Sequence, residues 1–256
     1  MTSNEMKFNF QLKFDSLFEF SAPAYDDRQI SYLLTEAQFR VFIKRYNPLA
    51  NKYQKGFEAD EQRRRDLEQL IKPALYNSSD PTGVSLPDGV EPITQSAQQG
   101  GAHPEGVFFD MPVDFLYSVE EAVKLDGEPK EAWVRPVKHD EYLANINNPY
   151  KKPYKDLIWR MDISRYQHAE GTSTAASAKR TELILPETAT VGQYRVRYLA
   201  TPPAIVVDEF DPTNQRHCVL DETLHREIVD EAVIIAQAAT QEEKYQLGVN
   251  EQQRND

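Results

Sequence analysis

The spacing of apolar residues changes twice along this chain of 256 residues. It follows the helical period near both ends, over residues 6–76 and 221–239, and the two-residue period of β-strands in the part between. Helices that come before and after a run of strands indicate an α+β class, because a doubly wound fold would alternate strands with helices. We therefore predict N-terminal amphipathic helices, an antiparallel β-sheet of about five strands and a long C-terminal helix.

The first twenty residues carry two apolar patterns at once. The alternation of Met6, Phe8, Phe10, Leu12 and Phe14 suits a strand, whereas a second set of residues lies on one face of a helix. The helical set continues to Phe20, and the loop SAPAYDD with its proline follows, so we predict a helix of about four turns. Its buried face would hold Met6, Phe10, Phe14, Leu17 and Phe18.

Two further helices are predicted before residue 77. The second should begin at Thr35, because Thr35 and Gln38 have the spacing of a capping box, and it should end at Asn47 before a proline. The third should run from Glu58 to Tyr76. The expected buried residues are Phe39, Phe42, Ile43 and Tyr46 in the second helix, and Leu67, Leu70, Ile71 and Ala74 in the third.

Residues 77–106 are rich in proline, glycine, serine and glutamine and offer almost nothing to bury. Loops of this length in a compact protein usually bind something or are disordered, so we predict an extended loop or contact arm. The predicted organisation is an N-terminal helical part (1–76), this arm (77–106), an antiparallel sheet with its closing helix (107–245) and a polar tail (246–256).

Five strand-like segments follow the arm. Alternating apolar residues from Phe115 to Leu125, the turn signal Asp126 and Gly127, and a short run at Trp133 predict a hairpin. The segments DLIWRMDIS and TELILP add two strands, and YRVRYLATPPAIVVD adds a third that Pro202 and Pro203 interrupt. A helix capped by Asp221 then closes the sheet, with one apolar stripe of Leu224, Ile228, Ala232, Ile235 and Ala239.

Charge and cysteine content narrow the classes of function. With 41 acidic and 29 basic residues the net charge is −12, which opposes binding dominated by phosphate contacts. The basic run EQRRRD, residues 61–66, is predicted to be a solvated helix face. A single cysteine allows no internal disulfide, and no segment has the ~20 apolar residues that span a bilayer, so we expect a soluble, unexported chain.

Candidate catalytic residues are sparse. His139 and Asp140 are adjacent, and neighbouring side chains on a helix diverge by about 100°, so they cannot form a base and its orienting carboxylate. Asp140 and Glu141 instead suit the first turn of a helix that His139 caps. His217, Cys218 and His225 are too few for a metal site, and no phosphate loop or nucleophile elbow occurs. We expect no cofactor, no metal and no enzyme, with Cys218 in a buried strand and Trp133 and Trp159 in the core.

One stretch and three later segments also match the pattern of a known protein family. The sequence VKHDEYLANINNPYKKP, followed in order by WRMDI, YRVRYLATPPAIVV and CVLDETLHREIVDEAVIIAQ, resembles a virion structural protein family of crAss-like and related phages of Bacteroidetes. The resemblance covers Val107 to the last helix, and the opening helices more loosely. Two departures are Lys138, where the family has Ser or Thr, and the arm 77–106, which is longer than in family members.

The resemblance implies a head-tail connector or tail ring protein that joins the portal to the tail, in a ring of twelve copies. Its partners would be itself, the portal and other neck or tail ring proteins, and genome DNA would pass through without specific binding. Its place would be the neck or tail of the virion, and the host cytoplasm during assembly. An acidic chain suits a DNA conduit, because carboxylates repel phosphates.

The loop after the predicted 139–146 helix is our candidate assembly interface, because aromatic and cationic groups on a proline-stiffened loop suit interface anchors. An equally favoured alternative is a loop packed on its own sheet. The rival function is a virion-associated enzyme that uses His139 or His225 with nearby carboxylates. The candidate interface residues are Asn147, Asn148, Pro149, Tyr150, Lys151, Lys152 and Tyr154.

Overall fold

A computed structural model describes residues 1–18, 25–47, 60–95, 103–166, 178–186, 189–208, 211 and 213–255. The helices in this part of the chain are α1 (Ser3–Phe18), α2 (Asp27–Tyr46), α3 (Glu61–Leu67), α4 (His139–Ile146) and α5 (Glu222–Asn255). The strands are β1 (Ile71–Asn77), β2 (Glu91–Pro92), β3 (Thr94–Gln95), β4 (Gly106–Asp110), β5 (Phe115–Leu125), β6 (Glu131–Pro136), β7 (Leu157–Tyr166), β8 (Ala178–Ile184) and β9 (Val191–Ala200). The predicted α+β class is confirmed.

Contacts group the chain into two compact units, each described by itself below. The helical unit comprises Met1–Leu70 and Pro202–Asp256, and the sheet unit comprises Ile71–Thr201. The division at residues 76, 106 and 245 that the sequence suggests stays a prediction. Along the described residues, no helix is both long and apolar enough to cross a membrane.

Helix α1 settles the ambiguity of the first residues in favour of a helix. Met6, Phe10 and Phe14 are buried on one face, and the rings of Phe10 and Phe14 stack with centroids 5.7 Å apart. The predicted continuation beyond Phe18 lies outside the described residues. Because the helical period buries only one of the two apolar patterns, Phe8 and Leu12 are left exposed on the opposite side.

Helix α2 begins eight residues before the predicted start at Thr35, which is therefore wrong. Asp26 and Gln29 form the capping box, in which the backbone N–H of Asp26 donates to Gln29 Oε1 at 3.0 Å. Thr35 lies in the middle of the helix, and its hydroxyl donates a hydrogen bond to the carbonyl oxygen of Ser31 at 2.7 Å. Of the predicted stripe, Phe42 is buried and Phe39 is exposed.

The predicted third helix is wrong in its second half. Helix α3 ends at Leu67, a single 3₁₀ turn follows, and β1 begins at Ile71. Pro73 would remove a hydrogen bond and clash with the preceding turn inside a helix. The chain is extended instead and places Ala74 and Tyr76 in the core of the sheet unit.

The basic run at residues 61–66 is only partly solvated. Arg63 is buried, and its Nη1 donates to the backbone carbonyl oxygens of Lys44 (3.5 Å) and Arg45 (3.3 Å) at the end of α2. A cation at a helix C-terminus satisfies unpaired carbonyl groups and opposes the negative end of the helix dipole. Part of the run is therefore buried and stabilises the end of α2 within the helical unit.

The nine strands form one mixed sheet in the order β2-β1-β9-β5-β6-β7-β8-β4-β3. The five predicted strands are present as β5 to β9. The purely antiparallel arrangement is wrong, because β1 with β2 and β6 with β7 pair in parallel. The four additional strands, β1 to β4, arise in segments predicted to be helix, arm or the start of the sheet.

Residues 91–95, within the predicted arm, close the sheet on itself. Glu91 and Pro92 pair with β1 at one end of the strand order, and Thr94 and Gln95 pair with β4 at the other. The hydroxyl of Tyr76 donates to Gln95 Oε1 at 2.6 Å, which joins β1 directly to β3. This segment brings the two ends of the sheet together into a nearly closed barrel, called the barrel below.

Side chains alternate between the barrel interior and its outer face. The interior holds one apolar cluster that includes Phe109, Val123, Ile158 and Tyr194. On the outer face, Tyr142 of α4 packs against Trp159, and the two are joined by Met161 and Ile184. The prediction that Trp159 is in the core is confirmed. The same prediction for Trp133 is wrong, because this side chain is 78% exposed.

Helix α5 is capped by Asp221 as predicted. Oδ1 of Asp221 accepts hydrogen bonds from the backbone N–H (2.9 Å) and the hydroxyl (2.7 Å) of Thr223. Leu224, Ile228 and Ala232 are buried along the predicted stripe, whereas Ala239 is exposed.

Replacing Asp221 by alanine should lower the free energy of unfolding of the helical unit by about 1 kcal/mol, because an amide at the start of α5 loses its partner. The hydrogen bonds from Thr223 hold the pKa of the Asp221 carboxyl below its ordinary 3.8. The charged cap therefore stabilises the fold above that pH, and its contribution disappears as the pH falls through the lowered value. Urea denaturation followed by far-UV circular dichroism at several pH values measures both effects. Asp221→Asn, which keeps the acceptor, is the control and should lose little stability at neutral pH.

Candidate assembly interface

Helix α4 carries the HDEY motif and positions the candidate interface loop. Asp140 and Glu141 lie in its first turn as predicted, but His139 is the first helical residue and Lys138 occupies the cap position. Lys138 makes no side-chain capping bond, which fits its departure from the Ser or Thr of the resembled family. Tyr142 fixes the helix to the barrel through the cluster around Trp159.

Asn148 holds the backbone of the loop in one conformation. Its Oδ1 accepts a hydrogen bond from the backbone N–H of Tyr150 at 3.0 Å. Its carbonyl oxygen accepts from the backbone N–H groups of Lys151 (3.0 Å) and Lys152 (2.9 Å). A loop that is already ordered loses little conformational entropy when it binds a partner.

The end of the loop is attached to the barrel. Pro153 is buried, and Tyr154 and Leu157 exchange two backbone hydrogen bonds of 3.0 and 2.8 Å. The side chains of Tyr150, Lys151, Lys152 and Tyr154 are nevertheless exposed, Tyr150 to 93%. The loop thus has features of both alternatives, with a backbone packed on the barrel and side chains that face outward. Its role as an interface stays a prediction.

Two shallow grooves flank the loop. Asn147, Pro149 and Lys152 line one of about 310 Å³, together with Glu105 and Pro186. Lys151 lines the other, of about 390 Å³, together with Arg135 and Trp159. The candidate residues therefore form an exposed surface and also line two recesses.

Sequence reasoning missed two exposed apolar side chains beside the loop, Trp133 (78% exposed) and Leu143 (74% exposed). Trp133 is next to the loop, because Leu157 pairs with Trp133 of β6 and also with Tyr154. The alternation of β6 could have shown that Trp133 is exposed, since Trp133 lies on the same face of the strand as the charged Glu131 and Arg135. Leu143 was predictable as the residue that the Tyr142 and Ile146 face of α4 leaves outside. We call the exposed side chains Trp133, Leu143, Tyr150, Lys151, Lys152 and Tyr154 the loop surface.

The loop surface lies in a locally basic part of an acidic chain. Residues 135–156 carry five cations and three acidic residues, against a net charge of −12 for the whole chain. All eight of these charged side chains are exposed. A cationic, aromatic surface of this kind favours an acidic partner surface. The cations are Arg135, Lys138, Lys151, Lys152 and Lys155, and the acidic residues are Asp140, Glu141 and Asp156.

The histidines named in the enzymatic alternative bind backbone carbonyl groups. His139 Nε2 donates to the carbonyl of Asp162 and His225 Nε2 donates to the carbonyl of Leu220, both at 2.9 Å. His225 is buried, and burial lowers its pKa, so its neutral form is favoured at physiological pH. Both rings therefore make structural contacts in this conformation.

The remaining candidates also have structural environments. His217 Nδ1 accepts a hydrogen bond from the backbone N–H of Ser3 at 3.1 Å. Cys218 is buried as predicted but lies outside the strands, and burial raises its pKa to about 11. Within the described ranges, no group of three or more His, Cys, Asp and Glu side chains is placed to bind a metal ion.

A polar pair between the buried Glu182 and the partly exposed His103 was not predicted. Glu182 lies on the outer face of β8. Its Oε1 accepts a hydrogen bond from the backbone N–H of His103 at 2.7 Å and lies 3.1 Å from Nδ1 of the His103 ring. The His103 ring also contacts Tyr142, with centroids 3.8 Å apart. Burial, with the charges of Glu105 and Glu182, raises the pKa of Tyr142, so its phenol stays protonated. The pair thus ties the start of β4 to α4, beneath the loop surface.

Comparison with known proteins agrees with the sequence motifs. A family model described as "Phage tail ring protein 3/4" matches residues 1–246. "Ring protein 4/5" of Bacteroides phage crAss001 is 26% identical over 253 residues, which cover 94% of this chain and 94% of that protein. "Ring protein 3" of the same phage is 27% identical over 249 residues, which cover 92% of this chain and 95% of that protein.

Proposed function

We propose that this chain, which belongs to the phage tail ring protein 3/4 family, forms one ring of the head-tail connector. Its membership of this family confirms the resemblance to crAss-like phage virion proteins. In this proposal twelve identical copies close into a ring that joins the portal to the tail, next to other ring proteins. The ring assembles in the host cytoplasm and remains in the neck or tail of the virion. The chain has a structural role and no catalytic one.

The observation that carries this proposal is the loop surface. Four large apolar side chains are exposed on β6, α4 and the following loop, on a backbone that Asn148 and the Tyr154–Leu157 pair already fix. Exposed aromatic residues on an ordered backbone are typical of interface anchors. In a ring, each copy meets two neighbours through two different surfaces, so a surface of this kind has an occupant in every copy.

The acidic composition supports the proposed passage of DNA. With a net charge of −12, the chain has no surplus of cations to replace the counterions of a DNA backbone. The most basic run of the helical unit is partly used internally, since Arg63 caps α2. A conduit built from such chains would let a genome slide without binding it specifically.

The proposal predicts a defined oligomer, which light scattering of the purified chain measures, alone and with the portal. Tyr150→Ala and Trp133→Ala should each weaken assembly about tenfold or more, because truncating an interface anchor removes 1–2 kcal/mol or more of binding free energy. The matched control is Tyr32→Ala, which removes a 70% exposed tyrosine from α2. A wild-type chain that stays monomeric with and without the portal would contradict the proposal.

A further inference from the structure

Helix α1 exposes two apolar side chains that its own unit does not bury. Phe8 is 64% exposed and Leu12 is 60% exposed, and they lie one turn apart on the side opposite the buried Met6 and Phe10. The first residues of the sequence thus encode two apolar faces, of which the helical unit uses one. A second face that stays in contact with water indicates a binding surface.

Acidic residues flank this pair on the same side of the helix. Glu5 and Asp15 are exposed and follow the spacing of Phe8 and Leu12 along α1. The two lysines of the helix pair with acidic residues of the helical unit, Lys7 with Asp27 at 2.7 Å and Lys13 with Asp230. We call Glu5, Phe8, Leu12 and Asp15 the α1 ridge. It is apolar in its middle and negative at both ends.

The loop surface has the complementary character, with aromatic side chains beside Lys151 and Lys152. We infer that the α1 ridge of one copy receives the loop surface of the next copy, with Tyr150 against Phe8 and Leu12. This inference rests on the proposed ring. It names the two surfaces that each copy uses for its neighbours.

Charge favours this contact over a symmetric one. If two loop surfaces met, their lysines would face each other, and if two α1 ridges met, Glu5 and Asp15 would face acids. Contact between the two different surfaces pairs opposite charges and buries apolar side chains from both. It is heterologous, which is the type of contact that a closed ring of identical copies requires.

The test joins two single-cysteine variants on separate copies. Leu12→Cys and Tyr150→Cys chains are mixed at a protein concentration well above the one at which the wild type assembles, which offsets the weaker contact of the Tyr150 variant. They are then oxidised, and disulfide-linked pairs are separated by mass. The native Cys218 is buried and its pKa is raised to about 11 by burial, so it contributes little background. We expect the mixture to yield linked pairs of Leu12→Cys with Tyr150→Cys, and the Tyr32→Cys with Tyr150→Cys control to yield at least tenfold fewer.

A charge reversal provides an independent readout. Lys151→Glu with Lys152→Glu should weaken assembly at least tenfold, and Asp15→Lys should restore part of the loss, whereas Asp15→Lys alone should weaken assembly. If the wild type assembles but Tyr150→Cys links equally to itself or to Tyr32→Cys, the inference is wrong and the ring stands. If the wild type does not assemble at all, the proposed function fails and the inference fails with it.

Discussion

Replacing Glu121 by glutamine is expected to lower the free energy of unfolding of the barrel by about 3 kcal/mol, whereas Glu120→Gln should change it by less than about 1 kcal/mol. Glu121 faces the interior, where it forms an ion pair with Arg160, and both side chains are nearly excluded from water. Removing one partner of a buried pair leaves the other charge without compensation. The exposed Asp162, whose Oδ1 is 3.2 Å from Arg160 Nε, limits the loss.

Tyr194 adds to the role of Glu121, because its hydroxyl donates to Glu121 Oε2 at 3.1 Å. Burial raises the pKa of Tyr194 far above its usual range, so it remains a donor at every accessible pH. Glu121→Gln replaces a charged acceptor by a neutral amide without changing the volume of the side chain. The loss of stability therefore reports the electrostatics of the interior and not a cavity.

The adjacent Glu120 is the matched control, since the strand period places it on the outer face. It is half exposed and pairs loosely with Arg195 (3.9 Å) and Arg197 (3.3 Å). Urea denaturation followed by tryptophan fluorescence measures the barrel selectively, because both tryptophans of the chain, Trp133 and Trp159, lie in the sheet unit. Equal losses for the two variants would show that the buried ion pair does not stabilise the barrel.

Local patterns were sufficient for some elements and failed for others. The hairpin of β5 and β6 was predictable because Asp126 and Gly127 form its turn, where Gly127 has a φ of +82°. The apolar period does not reveal the strand β1, because residues 58–76 also fit a helical period. Pro73 is the residue in this segment that argues against a helix. Residues 91–95 carry no pattern of their own. Their extended form depends on pairing with β1 and β4, which are distant in the sequence.

Local patterns likewise identify only part of the candidate interface. Its loop was identified from residue types alone, since Tyr150, Lys151 and Lys152 stand beside prolines in a polar segment. Trp133 and Leu143 were missed because tryptophan and leucine are more often buried than exposed. Only the phase of β6 and the anchoring of α4 by Tyr142 decide which side of each element faces outward.

Truncating the two tryptophans should change the free energy of unfolding by very different amounts. Trp159→Ala is expected to lower the free energy of unfolding by about 3–5 kcal/mol, because it leaves a cavity between α4 and the barrel. Trp159 is 1% exposed and lies edge-on to Tyr142, with ring centroids 6.3 Å apart. Trp133→Ala should change stability by less than about 0.5 kcal/mol, since its side chain is already in water.

Assembly gives the second readout for this pair. Trp133→Ala should weaken assembly while thermal unfolding, followed by circular dichroism, stays unchanged, because Trp133 belongs to the loop surface. Trp159→Ala should weaken both, since α4 carries Leu143 and leads into the 147–154 loop. Trp159→Phe is the intermediate control, because it keeps an aromatic ring and removes an indole N–H that has no hydrogen-bond partner among the described residues. If Trp133→Ala destabilised the barrel but left assembly intact, the exposed face of β6 would be a structural feature and not part of an interface.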